Sequence, residues 1–189
     1  EIRMKKLNSK SWSWVRVNGL ARRDKQRRPV MLVGVWVNIT RRKTAELRAA
    51  EDRDLFHTLI EHIPDSIYFK NRESRFVLAN TATANKLGVP TPADLTGRTD
   101  DYFFDQTMSD ISRKEEMDIM VTGRPIRARL HHETWLHKDD SWSQISKFPW
   151  YGRNGELKGI VGISSDVTKL VKTEIKATET ARILEERNR

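Results

Sequence analysis

The chain has 189 residues, 37% hydrophobic and 32% charged, and its 35 Lys and Arg against 26 Asp and Glu give a net charge of +9. That is enough chain for one domain of ordinary size with extra elements, or two small ones, around a modest core. It has no cysteine, which excludes disulfides, thiol nucleophiles, thiolate metal sites and cysteinyl-flavin photochemistry, and no apolar run approaches the length of a membrane span.

Residues 1–40 read as a strand meander. Asn8, Ser9 and Lys10 make a polar turn before a strand at 12–17, where Trp14 and Arg16 alternate with Val15 and Val17. A second turn at 23–28 leads into 30–39, a nearly continuous valine-rich run expected of a strand covered on both faces. Basic residues gather at Arg22, Arg23, Lys25, Arg27 and Arg28 and again at Arg41, Arg42 and Lys43. The positive balance raises nucleic acid or an anionic membrane as partners. These clusters fall at a hairpin turn and a helix start, where solvated charge is ordinary. No recognition-helix pattern, zinc-finger spacing or aromatic RNA-binding strand accompanies them, so no nucleic-acid partner is expected.

From 41 to 63 the pattern is helical, with Leu55, Phe56, Leu59, Ile60 and Ile63 on one stripe. Its charged upstream half should project into water or pair with another helix. Pro64 ends it. Strands at 66–70 and 75–80 flank a polar turn, and a short helix at 81–87 is closed by Gly88. Thr91-Pro92-Ala93-Asp94 carries the signature of a helix start, and Gly97 marks its end. A longer helix at 105–122 presents Met108, Ile111, Met117, Met120 and Val121 as its apolar positions. Three strands follow at 127–137, 141–150 and 157–167, with Asn154-Gly155 as a hairpin turn. Beyond Thr168 the chain is helical, and Val167, Leu170, Glu174, Ala177, Ala181 and Leu184 form a weak coiled-coil seam. The order implies an α+β domain: one five-stranded antiparallel sheet with short helices on one face and a helix at each flank.

The chain nearly repeats itself. An offset of 128 residues carries Trp14 onto Trp142, Ser13 onto Ser141 and Glu46 onto Glu174. It also carries Val33-Gly34-Val35-Trp36-Val37-Asn38-Ile39-Thr40 onto Val161-Gly162-Ile163-Ser164-Ser165-Asp166-Val167-Thr168 without a gap. That spacing suits tandem domains rather than a solenoid. Residues 1–40 are therefore expected to be the closing strands of a truncated upstream copy, 41–63 a connecting helix, 64–168 a full domain and 169–189 an exit helix. Strands without their helices should leave Trp12, Trp14 and Trp36 underburied and ready to pair with something.

Several segments together carry a family resemblance: Pro64-Asp65-Ser66-Ile67-Tyr68-Phe69-Lys70, Phe76-Val77-Leu78-Ala79-Asn80, Leu87-Gly88, Leu95-Thr96-Gly97-Arg98-Thr99-Asp100, Phe103-Phe104, Val121-Thr122-Gly123-Arg124-Pro125, Lys147-Phe148-Pro149 and the run from Gly159 to Thr168. In this order they resemble the PAS sensory domain family, in the variety found in tandem in bacterial signalling proteins such as sensor histidine kinases. The resemblance covers about residues 51–168, and 1–40 resemble the last three strands of a preceding copy. It implies a PAS fold, a pocket between the sheet and the short helices, and a module relaying ligand or partner binding through a flanking helix to an output domain in cis. A histidine kinase in a phosphorelay is the expected output; a ligand-free dimerisation module of cyclic-di-nucleotide signalling or another regulatory protein is the alternative. The resemblance further implies a homodimer in the cytoplasm, an unidentified small-molecule ligand and no membrane contact by this segment. The cofactor stays unknown. Haem-binding members use a histidine on the long helix, absent from 105–122, and a cysteinyl-flavin adduct needs a cysteine, so neither is expected.

Strand alternation places Ser143, Ile145 and Lys147 on one face and Trp142, Gln144, Ser146 and Phe148 on the other. By resemblance the first set faces the pocket, joined by Ile160, Gly162 and Ser164. Tyr68, Phe76, Leu78, Asn80, Leu87, Phe103, Met120 and Trp135 are further candidate lining. Trp142 and Phe148 are expected on the outer, dimerising face. A filled core without a ligand accounts for the same apolar residues, and Asn80 is the natural cap of the helix beginning at Thr81. His131 and His132 are strand neighbours pointing to opposite faces, so with His137 they read as surface histidines, and no metal is expected. Asp100/Asp101 and Asp139/Asp140 read as turn aspartates. No phosphate-binding, dinucleotide or nucleophile-elbow motif occurs, so no catalytic residue is expected. The functional junction is expected at Asp166-Val167-Thr168, where the last strand becomes the exit helix. Asn38-Ile39-Thr40 stands at the same place in the first copy, with Asn38 in place of the family's acid.

Overall fold

The computed structural model describes residues 1–5 and 11–187, the side chains of 184 and 185 excepted, so the expected turn at 8–10 lies outside the described residues. Two units are present, Glu1–Thr58 and Leu59–Arg189.

In the first unit, β1 (Ile2–Lys5), β2 (Trp12–Arg23) and β3 (Pro29–Asn38) form an antiparallel sheet in chain order. β2 runs six residues past the expected Val17 because its ladder with β3 continues to the Asp24 turn. That turn is built by Asp24, whose Oδ1 accepts from the backbone N–H groups of Gln26 and Arg28, both at 2.9 Å. The expectation that β3 is covered on both faces fails: all ten of its residues are exposed. Its apolar run reflects β propensity, which acts within a strand whether or not anything lies on it.

Helix α1 (Thr40–His62) leads out of β3. Its expected apolar stripe is not a buried stripe. Among its residues Ile60 alone is buried, while Leu55, Phe56 and Leu59 are exposed.

The second unit holds β4 (Ser66–Asn71), β5 (Phe76–Ala79), α2 (Thr81–Leu87), two 3-10 turns (Pro92–Leu95 and Asp100–Tyr102), α3 (Gln106–Thr122), β6 (Ile126–Glu133), β7 (Ser141–Tyr151), β8 (Leu157–Asp166) and α4 (Thr168–Arg187). The sheet order is β5-β4-β8-β7-β6, antiparallel throughout, so the first and last segments of the domain meet in its middle. The α+β architecture with a five-stranded sheet is as expected. Local chemistry sets the helix ends. Asn80 accepts from Thr83 N at the start of α2 and Gly88 closes it at φ 73°. Asp105 caps α3 through Met108 N, and Gly123 closes it at φ 70°. β6 stops at Glu133 rather than 137 because the chain then pairs elsewhere: Asp105 N donates to Thr134 O and Leu136 N to Phe103 O, both at 3.2 Å.

The core is a cluster of Phe76, Ala79, Leu95, Phe103, Phe104 and Met108, under which Tyr68 and Trp135 pack. Gly162 is required here, since a Cβ would come within 2.5 Å of the Tyr68 ring, which crosses β8 at that point. One face differs from expectation. α3 buries Met108, Ser109, Ser112, Glu116 and Ile119 and leaves Ile111, Met117 and Val121 in water. Buried lysines opposite Ser112 and Glu116 turn the helix that way.

Candidate functional site: a charged cavity beneath the sheet

Period-2 alternation points Ser66, Tyr68 and Lys70 of β4, His131 and Glu133 of β6, Ser143, Ile145 and Lys147 of β7, and Ile160 and Ser164 of β8 to one side of the sheet. All of these but Lys70, Ser143 and Ile160, together with residues of β5, α2, α3 and the second 3-10 turn, line a cavity of about 40 Å³. That is room for roughly three water-sized groups. Its lining divides into an apolar side (Tyr68, Phe76, Leu87, Phe104, Met108, Ile145) and a polar side that includes Lys86, Asp100, Ser112, His131, Glu133 and Lys147.

Charge at this depth is tolerated only when paired, and the pairing is extensive. Lys70 Nζ donates to Asp100 Oδ1 and to Glu116 Oε1, both at 2.7 Å. Lys147 Nζ donates to Ser112 Oγ at 2.9 Å and stands 3.2 Å from Glu115 Oε2, an ion pair without hydrogen-bond geometry. Glu115 Oε1 accepts from Arg129 Nη1 at 2.8 Å and lies 3.1 Å from His131 Nε2. Lys86 Nζ donates to Glu133 Oε1 (2.8 Å), Ser143 Oγ (2.7 Å) and Ser164 Oγ (2.8 Å), so one ammonium on α2 ties three strands. Ser141 and Ser143 donate to the other Glu133 oxygen at 2.9 and 2.8 Å. Four cations thus stand against four carboxylates.

Burial works against ionisation of Glu115, but His131 and Lys147 outweigh it and bring its pKa down to about 2. Asp100 is lowered in the same way, burial being overcome by Lys70 and Lys147. Lys70 is raised, because Asp100 and Glu116 overcome its desolvation. Burial, reinforced by Glu116 and Asp100, pushes the Tyr68 phenol well above its ordinary value, so it stays a neutral hydroxyl.

The strand-to-helix junction is equally defined. Thr168 Oγ1 accepts from Trp142 N, and Val167 N donates to Trp142 O, each at 2.9 Å. Asp166 Oδ1 accepts from Thr168 N at 2.8 Å. Burial resists the ionisation of Asp166, but Thr168, Lys86 and Lys138 lower its pKa. The first unit repeats this arrangement: Thr40 Oγ1 accepts from Trp14 N and Ile39 N donates to Trp14 O, each at 2.9 Å, while Asn38 Oδ1 accepts from Thr40 N at 3.0 Å. Asn38 thus supplies the acceptor without the charge.

Of the residues expected from sequence, Tyr68, Phe76, Leu87, Ile145 and Ser164 line the cavity, and Ser143 stands behind it holding Lys86. Phe103 belongs to the core cluster, and Trp135 packs on Phe104 with ring centroids 4.3 Å apart. Ile160 is fully buried without lining the cavity, Leu78 is half-buried away from it, and Met120 lies beside Arg72 and Leu157 at a separate surface depression. Asn80 is a tie rather than a lining residue. Its Oδ1 accepts from Ile67 N and Thr83 N, both at 3.0 Å, and its Nδ2 donates to Ile60 O at 2.8 Å and Asp65 O at 2.9 Å, pinning the last turn of α1. On the other sheet face Trp142 lies against His132 and Phe148 beneath Arg127.

Two readings need correction. His131 is buried beside Glu115 rather than at the surface, because its strand position points under the sheet. Asp100 is a buried counter-ion of Lys70, not a turn aspartate. Lys147 lies toward the pocket as its strand parity predicts, whereas Lys70, Lys86, Asp100, Ser112, Glu115, Glu116 and Glu133 are site residues not expected from the sequence. A signal existed for some of these: Lys70 has the same strand parity as Tyr68, and Glu133 the same parity as His131. Among the described residues no group of three or more His, Asp or Glu side chains is arranged to hold a metal ion.

A family model described as the PAS fold matches residues 60–172. The methanogenesis regulatory histidine kinase FilI of Methanothrix harundinacea is 23% identical over 129 residues, 68% of this chain and 14% of that protein. A diguanylate cyclase of Vibrio cholerae is 28% identical over 131 residues, 67% of this chain and 39% of that protein. The chain therefore spans well under half the length of either relative. Among solved structures, the Vibrio cholerae VqmA dimer, described in the absence of its target DNA, superposes with a TM-score of 0.55 at 22% identity, covering 64% of this chain and 52% of VqmA. This likeness is one of fold. It also corrects the exclusion of a nucleic-acid partner. The same fold occurs in a DNA-binding LuxR-type receptor, so the lack of a recognition-helix pattern in this stretch of chain is no ground for excluding DNA. The likeness carries no DNA binding over to this chain.

Proposed function

This chain belongs to the PAS fold family, and from that premise we propose that it is a regulatory sensor module in which engagement of the cavity moves β8 and, through it, helix α4. The observation that supports this reading is the position of Lys86. It lines the cavity from α2 and bonds Ser164 of β8, two residues before Asp166, whose carboxylate holds the first turn of α4. A guest that reorients Lys86 alters the hydrogen bonding of β8 just where the strand hands over to the helix. The chain then acts without catalysis of its own, in the cytoplasm, on an output domain of the same protein. The FilI likeness favours a histidine kinase in a phosphorelay, and the cyclase likeness supports cyclic-di-nucleotide output as a second reading. On the same footing, residues 1–40 are the closing strands of an upstream module, a reading supported by the shared register and junction of the two strand pairs.

Hydrogen exchange tests the coupling. Lys86→Met should speed amide exchange several-fold across 162–171 while leaving 12–40 unaltered. Unchanged protection across 162–171 would remove the proposed link between cavity and helix.

A further inference from the structure

Building on the sensor reading, we infer that the cavity admits a small uncharged hydrogen-bonding molecule and rejects ions of the same shape. The charged groups lining the cavity are already paired, Lys86 with Glu133 at 2.8 Å, Asp100 with Lys70 at 2.7 Å and Lys147 with Glu115 at 3.2 Å, so a charged guest finds no free counter-ion. An anion would have to draw Lys86 from Glu133 or Lys147 from Glu115, leaving a carboxylate unpaired in a poorly solvated site. A cation would have to compete with Lys70 for Asp100, whose Oδ1 is already held at 2.7 Å. A neutral guest can take the place of the Ser164 hydroxyl at Lys86 while leaving the Lys86–Glu133 ion pair and the other pairs intact. It can accept from the Tyr68 hydroxyl, which burial and the surrounding carboxylates keep protonated, and rest its apolar part on Phe76, Phe104 and Ile145.

Size narrows the class. A cavity of about 40 Å³ holds a guest of roughly three or four heavy atoms without rearrangement. So few atoms limit the affinity to tens of micromolar at best, and millimolar affinity is expected.

Three probes of one shape separate the possibilities: acetamide, acetate and acetamidinium, added to the whole chain at matched ionic strength. Acetamide should bind saturably, shift the backbone amide resonances of Ser66, Thr83 and Ser164, and bind at least ten-fold tighter than either ion. Ile145→Phe fills the cavity without removing a polar group and should abolish those shifts; should that variant misfold, the wild-type shift pattern still locates the site. Binding of acetate or acetamidinium as tight as acetamide, with the same residues shifting, overturns the charge selection and leaves the sensor reading standing. Binding of acetamide that persists in Ile145→Phe, or that shifts residues elsewhere, overturns the inference. If none of the three binds, the inference falls together with the reading of the cavity as a ligand site.

Discussion

The strand pairs β2–β3 and β7–β8 are built to one plan and used differently. Val15 pairs with Asn38 as Ser143 pairs with Asp166, the two alignments being offset by the same 128 residues. Both pairs end in a threonine hydroxyl that accepts from the backbone N–H of a tryptophan at 2.9 Å. Yet β3 is exposed along its whole length, whereas β8 buries Ile160 and Ser164 beneath helices and pairs with β4 on its other edge. The positions that face inward in the second unit diverge accordingly: Val17 against Ile145, Gly19 against Lys147, Trp36 against Ser164. Gly34 and Gly162 correspond, but an aromatic ring crosses only Gly162. Register and junction are therefore local properties of a hairpin and its exit turn. The chemistry of its inner face answers to what packs against it.

The largest expected effect has no counterpart in the first unit. Lys70→Ala strands Asp100 and Glu116 in the interior and should lower the stability of the second unit by about 3–5 kcal/mol, read from urea unfolding followed by circular dichroism. A loss under 1 kcal/mol would mean that these carboxylates reach solvent. Exchanging residues between the pairs should be asymmetric. Ser164→Trp forces a large ring into a filled space and frees one Lys86 hydrogen bond, costing at least about 1–3 kcal/mol. Trp36→Ser, at a position 61% exposed, should stay within about 0.5 kcal/mol. Comparable losses at both sites would show that β3 is covered in solution.

The junctions should respond alike. Thr168→Ala and Thr40→Ala each leave a tryptophan N–H without its acceptor, and each should cost about 1 kcal/mol of local stability, seen as faster exchange of that amide. A silent Thr40→Ala would separate the two junctions despite their shared geometry.

Titration gives the smallest and sharpest contrast. Glu1 and Glu115 both have pKa values brought down to about 2, Glu1 by Arg16 and Lys43 at the surface, Glu115 by His131 and Lys147 against the resistance of burial. A lowered carboxylate pKa adds stability that is present above the unfolded value of 4.5 and lost as pH falls toward 2. For Glu115 this window should survive 1 M NaCl. The Glu1 carboxyl resonance should instead titrate near its ordinary value there, since a Debye length of about 3 Å screens exposed pairs. Equal salt sensitivity would show that the Glu115 site is open to solvent.

Much of this fold is legible along the chain. The ends of α2 and α3 follow from Asn80, Gly88, Asp105 and Gly123, each acting within a few residues of its own position. Inward and outward faces of β7 follow from alternation alone. The strand side of the cavity was foreseeable by the same rule: Tyr68, Ile145, Lys147 and Ser164 are inward strand positions. The helical side comes from elements whose approach no local pattern encodes. Ser112 and Glu116 sit on α3 four residues apart, and only buried lysines on the facing strands explain why that side turns inward while Ile111 and Val121 meet water. The apolar stripe of α1 and the valine run of β3 mislead for the opposite reason, since periodicity marks a surface able to be buried, not one that is.

What the sequence determined by itself is the set of elements, their caps, the alternation of each strand and the repeated hairpin with its threonine-closed exit. These depend on hydrogen bonds and sterics between near neighbours, which neighbouring residues specify. Tertiary structure alone decided the ion network, joining Lys70 to Asp100 and Glu116 across 30 and 46 positions and Lys86 to Ser164 across 78. In a poorly solvated interior a charge must find its partner wherever the packed elements bring one, and that meeting is fixed by the fold as a whole.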